Sequence, residues 1–141
     1  MRYSLWNLCA QADAPTLLDA LDRSGFALRS VETAGVSTAQ EFIDRCAETF
    51  GFPSGGWDSF GDDMWNVLFP DDDEGDKVAF VWNHADALLD EGLDAMLHAV
   101  DVLAHTGRAA YADGVEIITF LLGDGPNFAR VDVADLFPTL G

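Results

Sequence analysis

Basic residues are scarce in this chain. Seven Lys and Arg stand against 25 Asp and Glu over 141 residues, a formal charge of −18 at pH 7. Such a surface repels phosphate backbones and anionic headgroups, so direct nucleic-acid or membrane-surface binding is not expected. Cysteine is almost lacking. Cys9 and Cys46 are far apart, without C-x-x-C or zinc-ligand spacing, and Cys46 falls on what reads as the buried side of a helix. Reduced, packed thiols are the expectation. No run approaches the ~20 consecutive apolar residues of a membrane span. Met1-Arg2-Tyr3-Ser4-Leu5-Trp6 is not followed by a signal-peptide core and cleavage site, which points to a cytoplasmic protein. Also missing are a glycine-rich phosphate loop, a G-x-S-x-G elbow and a Cys/His pair in a catalytic context. Gly55-Gly56 comes closest to an anion cradle, but Asp58 and Asp62 would repel a phosphate there. No cofactor is implied.

What is present is enough apolar material, 49% of residues, for one sizeable core and one domain. The negative charge exceeds what solubility asks of a domain this size. It would draw in basic proteins through long-range attraction that salt screens. Simple solubility in a crowded cytosol would use the same charge, and composition does not separate the two.

Residues 4–9 have the length of a short strand, and Ala14 to Ser24 carries Leu17, Leu18 and Leu21 at helical spacing before Gly25. Phe26 to Val31 alternates as a strand does, with a turn at Ala34-Gly35. Ser37 and Gln40 make a capping box for a helix whose Ala39, Phe42, Ile43, Cys46, Ala47 and Phe50 form one apolar face. A second helix runs from about Trp57 to Leu68 and ends at Pro70. An acidic loop, Asp71-Asp72-Asp73-Glu74-Gly75-Asp76, precedes Val78-Ala79-Phe80-Val81-Trp82, an apolar run of central-strand length. Ala87 to His105 reads as a helix closed by Gly107, and Val115 to Leu122 as the last strand. Strands separated by helices predict an α/β fold with a small parallel sheet of about three strands.

Asp58 and Asp62, four apart on the second helix, place their carboxylates on one face about 5–6 Å apart. Trp57, Gly61 and Trp65 are their neighbours. Like charges at that spacing destabilise a helix by about 0.2–0.5 kcal/mol, offset in part for Asp58 by the positive end of the helix dipole. A pair of carboxylates beside an indole accepts paired hydrogen bonds from arginines, while the ring stacks on a guanidinium. The same spacing also arises on an ordinary solvated face.

The order of elements and the run Phe52-Pro53-Ser54-Gly55-Gly56-Trp57-Asp58-Ser59-Phe60-Gly61-Asp62-Asp63-Met64-Trp65 resemble the barstar family of ribonuclease inhibitors. That family carries a Phe/Leu-Pro turn, a glycine-containing loop and a helix written Trp/Leu-Asp-Ala-Leu-x-Asp-x-Leu. Val78 to Trp82 resembles the family strand that follows. The likeness covers roughly residues 26–122, leaving 1–25 as an N-terminal extension packed on the domain and 123–141 as a C-terminal tail. It implies a non-enzymatic inhibitor whose helix aspartates and preceding loop plug the active site of a secreted, basic ribonuclease, mimicking substrate phosphates. Asp58 and Asp62 would then enter a cationic pocket, with Gly56, Trp57 and Trp65 at its rim. Asp113 is the nearest match to a further acidic residue at the end of the family's last long helix. A second register would move the pair to Asp62 and Asn66; the register that keeps both carboxylates is preferred. A different basic partner, a non-ribonuclease toxin or a regulator, remains the alternative.

Other chemistries fit less well. The Asp71–Asp76 loop lacks the glycine and glutamate that an EF-hand needs at its sixth and twelfth positions. His98 and His105 share a helical face with Asp94 and Asp101 but lack a further residue at ligand spacing. As acid and base of a hydrolase, Asp58 and Asp62 have no burial to separate their pKa values.

Overall fold

The computed structural model describes residues 6–130. Its centre is a parallel sheet of four strands in the order β1-β4-β3-β2. These are β1 (Trp6–Ala10), β2 (Ala27–Glu32), β3 (Lys77–Asn83) and β4 (Glu116–Gly123). The helices are α1 (Ala14–Arg23), α2 (Ala39–Phe50), α3 (Trp57–Leu68), α4 (Asp86–Glu91) and α5 (Leu93–Ala112). The sequence predicts a sheet of about three strands and a short strand over residues 4–9 in the N-terminal extension; that strand, β1, joins the sheet as its fourth member, five residues long and paired with β4 from Trp6↔Thr119 to Ala10↔Gly123. So short a segment carries little periodicity of its own and becomes a strand by pairing.

The path from β1 to β2 crosses the whole sheet in one direction, whereas β2 to β3 and β3 to β4 step back in the other. With right-handed crossovers, opposite directions put the connecting helices on opposite faces. Accordingly α1 packs Leu17, Ala20 and Leu21 against Cys9, Val81, Ile118 and Phe120 on one face. The other face buries Phe42 and Ile43 of α2, Phe60, Met64 and Leu68 of α3, and Met96, Val100 and Leu103 of α5 against Val78, Phe80, Trp82 and Ile117. Strand β3 is covered on both sides, which is why Val78 to Trp82 is continuously apolar and fully buried. The Trp82 indole lies against Phe42, 4.4 Å between centroids, and its Nε1 donates to Thr33 Oγ1 at 2.7 Å, so its polar atom is satisfied inside the core.

Several boundaries move. The N-cap of α2 is Thr38, whose hydroxyl accepts from Glu41 N at 3.1 Å while the Glu41 carboxylate accepts from Ser37 N at 2.8 Å. The capping pair is therefore Thr38 and Glu41, with the carboxylate reaching back to the residue before the N-cap, not Ser37 and Gln40; a carboxylate in the first turn also complements the helix dipole. The helix expected over 87–105 breaks at Gly92 and then runs on to Ala112. Gly107 is buried inside α5, and the chain turns instead at Gly114, with φ +81. Packing on the sheet outweighs the roughly 1 kcal/mol cost of an interior glycine.

Both thiols are buried and unpaired with each other. Burial, helped by the Asp13 charge, pushes Cys9 up to about 11, and burial pushes Cys46 up to about 12. The N-terminal segment is tied to the sheet by side chains: Gln11 Nε2 donates to Asn83 Oδ1 at 3.0 Å, and His84 N donates to Gln11 Oε1 at 2.8 Å. Past β4, Ala129 accepts from Ala10 N at 2.9 Å and Arg130 pairs with Asp13. Most of the tail expected over 123–141, from 131 onward, and the first five residues of the expected 1–25 extension lie outside the described residues. Among the described residues no helix is long and apolar enough to cross a membrane.

Candidate partner-binding surface

The loop entering α3 is held by α2. Asp44 accepts from the Ser54 hydroxyl and from Gln40 Nε2, and Gln40 Nε2 also donates to Gly55 O at 3.1 Å. The bonds from Ser54 and then Gln40 hold the Asp44 carboxyl below its ordinary value. Gly56 caps α3 in an extended conformation and Trp57 begins the helix. The Trp57 ring meets Phe60 edge-on at 5.4 Å, and Phe60 reaches Phe42 in the core. The start of α3 is thereby fixed on the domain.

On this helix Asp58 and Asp62 are both exposed, while Phe60, Met64 and Leu68 are buried. Among the described residues neither carboxylate has a hydrogen bond or ion pair. Helical spacing puts them on one face, and Asp58 lies in the first turn, near the unsatisfied backbone N–H groups. Both charges are available to an incoming cation.

Helices α3 and α5 lie side by side and run the same way: Trp57 meets His98, Gly61 approaches Val102, and Trp65 faces His105 and Ala109. The Trp57 and His98 rings stack at 4.4 Å with 7° between planes. One ring face of Trp57 is therefore occupied by His98 rather than left for a guanidinium. A groove of about 500 Å³ opens between the helices, with Asp62 and Trp65 on one wall and Asp101, His105 and Arg108 on the other. Trp65 is half-buried and packs on Phe69 at 5.1 Å.

The Barstar family model, described as Barstar (barnase inhibitor), matches residues 26–121. The chain belongs to the barstar family. No curated protein matches it as a relative. The α/β architecture with a small parallel sheet is that expected of a barstar-family chain, and β1 and all of α1 lie outside the matched segment.

Of the barstar-like candidates, Gly56, Trp57, Asp58, Asp62 and Trp65 come together around one end and one flank of α3. Asp113 does not join them. It is the exposed C-cap of α5, fifteen residues beyond His98 in sequence and so about 22 Å along the helix from the Trp57 stack. The segment before it, taken from sequence to follow the end of the helix, is helical, and that carries Asp113 to the far end. Asn66, of the second register, is exposed one turn beyond Asp62.

Sequence reasoning missed the α5 wall. His98 and His105 are weighed there as metal ligands, yet His98 serves as a stacking support and His105 as a groove residue. Among the described residues no group of three or more His, Cys, Asp or Glu side chains is arranged to hold a metal. The acidic loop has a structural tie: Glu74 takes a bidentate grip on Arg29, at 2.9 and 2.6 Å, while Arg29 Nε donates to Val67 O at 2.8 Å. Those bonds, with one from Asp71 N, lower the Glu74 carboxyl to about 2.

Proposed function

We propose that this chain is an intracellular inhibitor that binds a basic ribonuclease and blocks its active site with the α3 face. The observation that carries the reading is the pair Asp58 and Asp62, exposed four residues apart on a helix whose first turn is anchored by Trp57. Membership of a family described as barnase inhibitors supports the class of partner. The scarcity of Lys and Arg supports long-range attraction of a basic protein. In this reading Asp58 and Asp62 accept hydrogen bonds from the cationic groups that would otherwise hold substrate phosphates, while Gly56, Trp57 and Trp65 pack at the rim. The inhibitor performs no chemistry of its own; residues 26–122 carry the inhibitory domain, and the strand and helix before it complete the sheet.

The test is to titrate the purified chain into a panel of small basic ribonucleases and follow RNA cleavage. At least one should be blocked stoichiometrically, with the block weakened by added salt and by Asp58→Ala or Asp62→Ala in a chain that remains folded. No inhibition across the panel, or RNA cleavage by the chain alone, would defeat the reading. A second reading assigns the same surface to a different basic partner, a non-ribonuclease toxin or a regulator. The separation of Asp113 from the pair and the covered face of Trp57 favour it, because each changes the contacts offered.

A further inference from the structure

On the opposite flank of α5 from α3, Leu93 and Leu97 stand 57% and 53% exposed, four residues apart on one face. They border a trough of about 730 Å³ whose floor is Leu8 of β1 and Leu121 of β4 and whose wall includes Leu89 of α4. Topology explains the opening. The α-helix that connects β1 to β2 is α1, and it packs on the other side of the sheet. The layer of helices that covers β2, β3 and β4 on this side therefore stops short of β1, whose Leu8 remains half-buried. The trough occupies the position where the next helix of the layer would lie.

Among the described residues its polar lining is Asp90 and Asn127, with no Lys or Arg, and exposed Asp94 flanks Leu93. A second copy of this chain would bring carboxylates against carboxylates under a charge of −18. We infer that the trough is a docking groove for an amphipathic, cationic helix of a second protein, laid parallel to α5 so that its apolar stripe meets Leu93 and Leu97 and its Lys or Arg residues face Asp90 and Asp94. The span from Leu93 to Val100 is two turns, about 10 Å, which suits anchors at i, i+3 or i+4, and i+7. Because the Asp58 and Asp62 face lies across α5, both surfaces can be occupied at once, and the inference stands whether or not the partner of α3 is a ribonuclease.

The test uses a synthetic leucine–lysine peptide of about four turns, with its leucines on one face. A scrambled peptide of the same composition is the control, and both are titrated into the full chain by calorimetry. The ordered peptide is expected to bind one to one and about tenfold more tightly than the scrambled one. Leu93→Ser with Leu97→Ser should remove that tenfold advantage while circular dichroism stays unchanged, and Asp58→Ala with Asp62→Ala should preserve the advantage. Equal binding of both peptides, or an advantage that survives the serine variant, overturns the inference. So does a native dimer that the serine variant dissociates, which would make a second copy the occupant. Peptide affinity raised by Leu136→Ser with Phe137→Ser would make the chain's own C-terminal segment the occupant.

Discussion

Trp57 lies flat on His98, ring centroids 4.4 Å apart, and this stack joins the first turn of α3 to the first half of α5. Aromatic pairs of this kind contribute about 0.5–1.5 kcal/mol beyond the area they bury. His98→Ala should therefore lower the free energy of unfolding by about 1 kcal/mol, read from urea denaturation, and should weaken binding of any partner that uses Asp58. His98→Phe should restore stability. If His98→Ala leaves the urea midpoint in place, the stack is incidental to the fold.

Asp58 and Asp62 set function against stability. Replacing either with Asn removes a like-charge repulsion, so each variant should gain about 0.2–0.5 kcal/mol, less for Asp58 because it also gives up the helix-dipole interaction. Partner binding should move the opposite way, by about tenfold or more for each lost charge-assisted contact. Thermal denaturation and a binding titration on the same samples check both signs. Parallel losses in the two measurements would instead mean that the carboxylates hold the fold.

Gly61 faces α5, and a Cβ added there would stand 3.8 Å from Val102 Cγ1, an ordinary contact. Gly61→Ala should stabilise α3 by about 0.5–1 kcal/mol by restricting the unfolded chain. Unchanged partner binding would mean that the groove does not need bare backbone at this point; loss of binding with gain of stability would make Gly61 a contact. Chemical denaturation and inhibition assays separate the two.

The Arg29–Glu74 pair should carry a pH signature. Arg29 and its backbone carbonyl contact at Val67 bring the acidic loop to the end of α3, and the Glu74 carboxyl is lowered from 4.5 to about 2. A carboxylate depressed in the folded state contributes fully above its ordinary value, and the contribution is lost as pH falls through the folded value. Glu74→Gln should then cost about 1 kcal/mol at neutral pH, with the deficit shrinking between about pH 4.5 and about pH 2. Parallel stability curves for the two proteins across that range would show that the pair contributes nothing.

Much of this architecture is written in local pattern. The stripe from Ala39 to Phe50, the face of Phe60, Met64 and Leu68, and the unbroken apolar run of β3 each announce their element, because burial on one side or both imposes a period that neighbouring residues alone display. The exposure of Asp58 and Asp62 follows from the same helical period. Glycine is less transparent: Gly107 and Gly114 look alike along the chain, yet one is packed inside α5 and the other turns at φ +81. Which of them ends the helix depends on where the sheet underneath stops offering a surface.

The amino-acid order alone settled the α/β class, the family, the acidic character and the helix that bears the paired carboxylates, since each rests on composition or on spacings of a few residues. Contacts between distant segments were decided by folding: β1 beside β4, His98 beneath Trp57, Glu74 on Arg29, Asp113 carried to the far end of α5, and the uncovered trough beside β1. These follow from crossover direction and from how the helices pack on one sheet. Such relationships link residues tens of positions apart and leave no periodic trace in the chain.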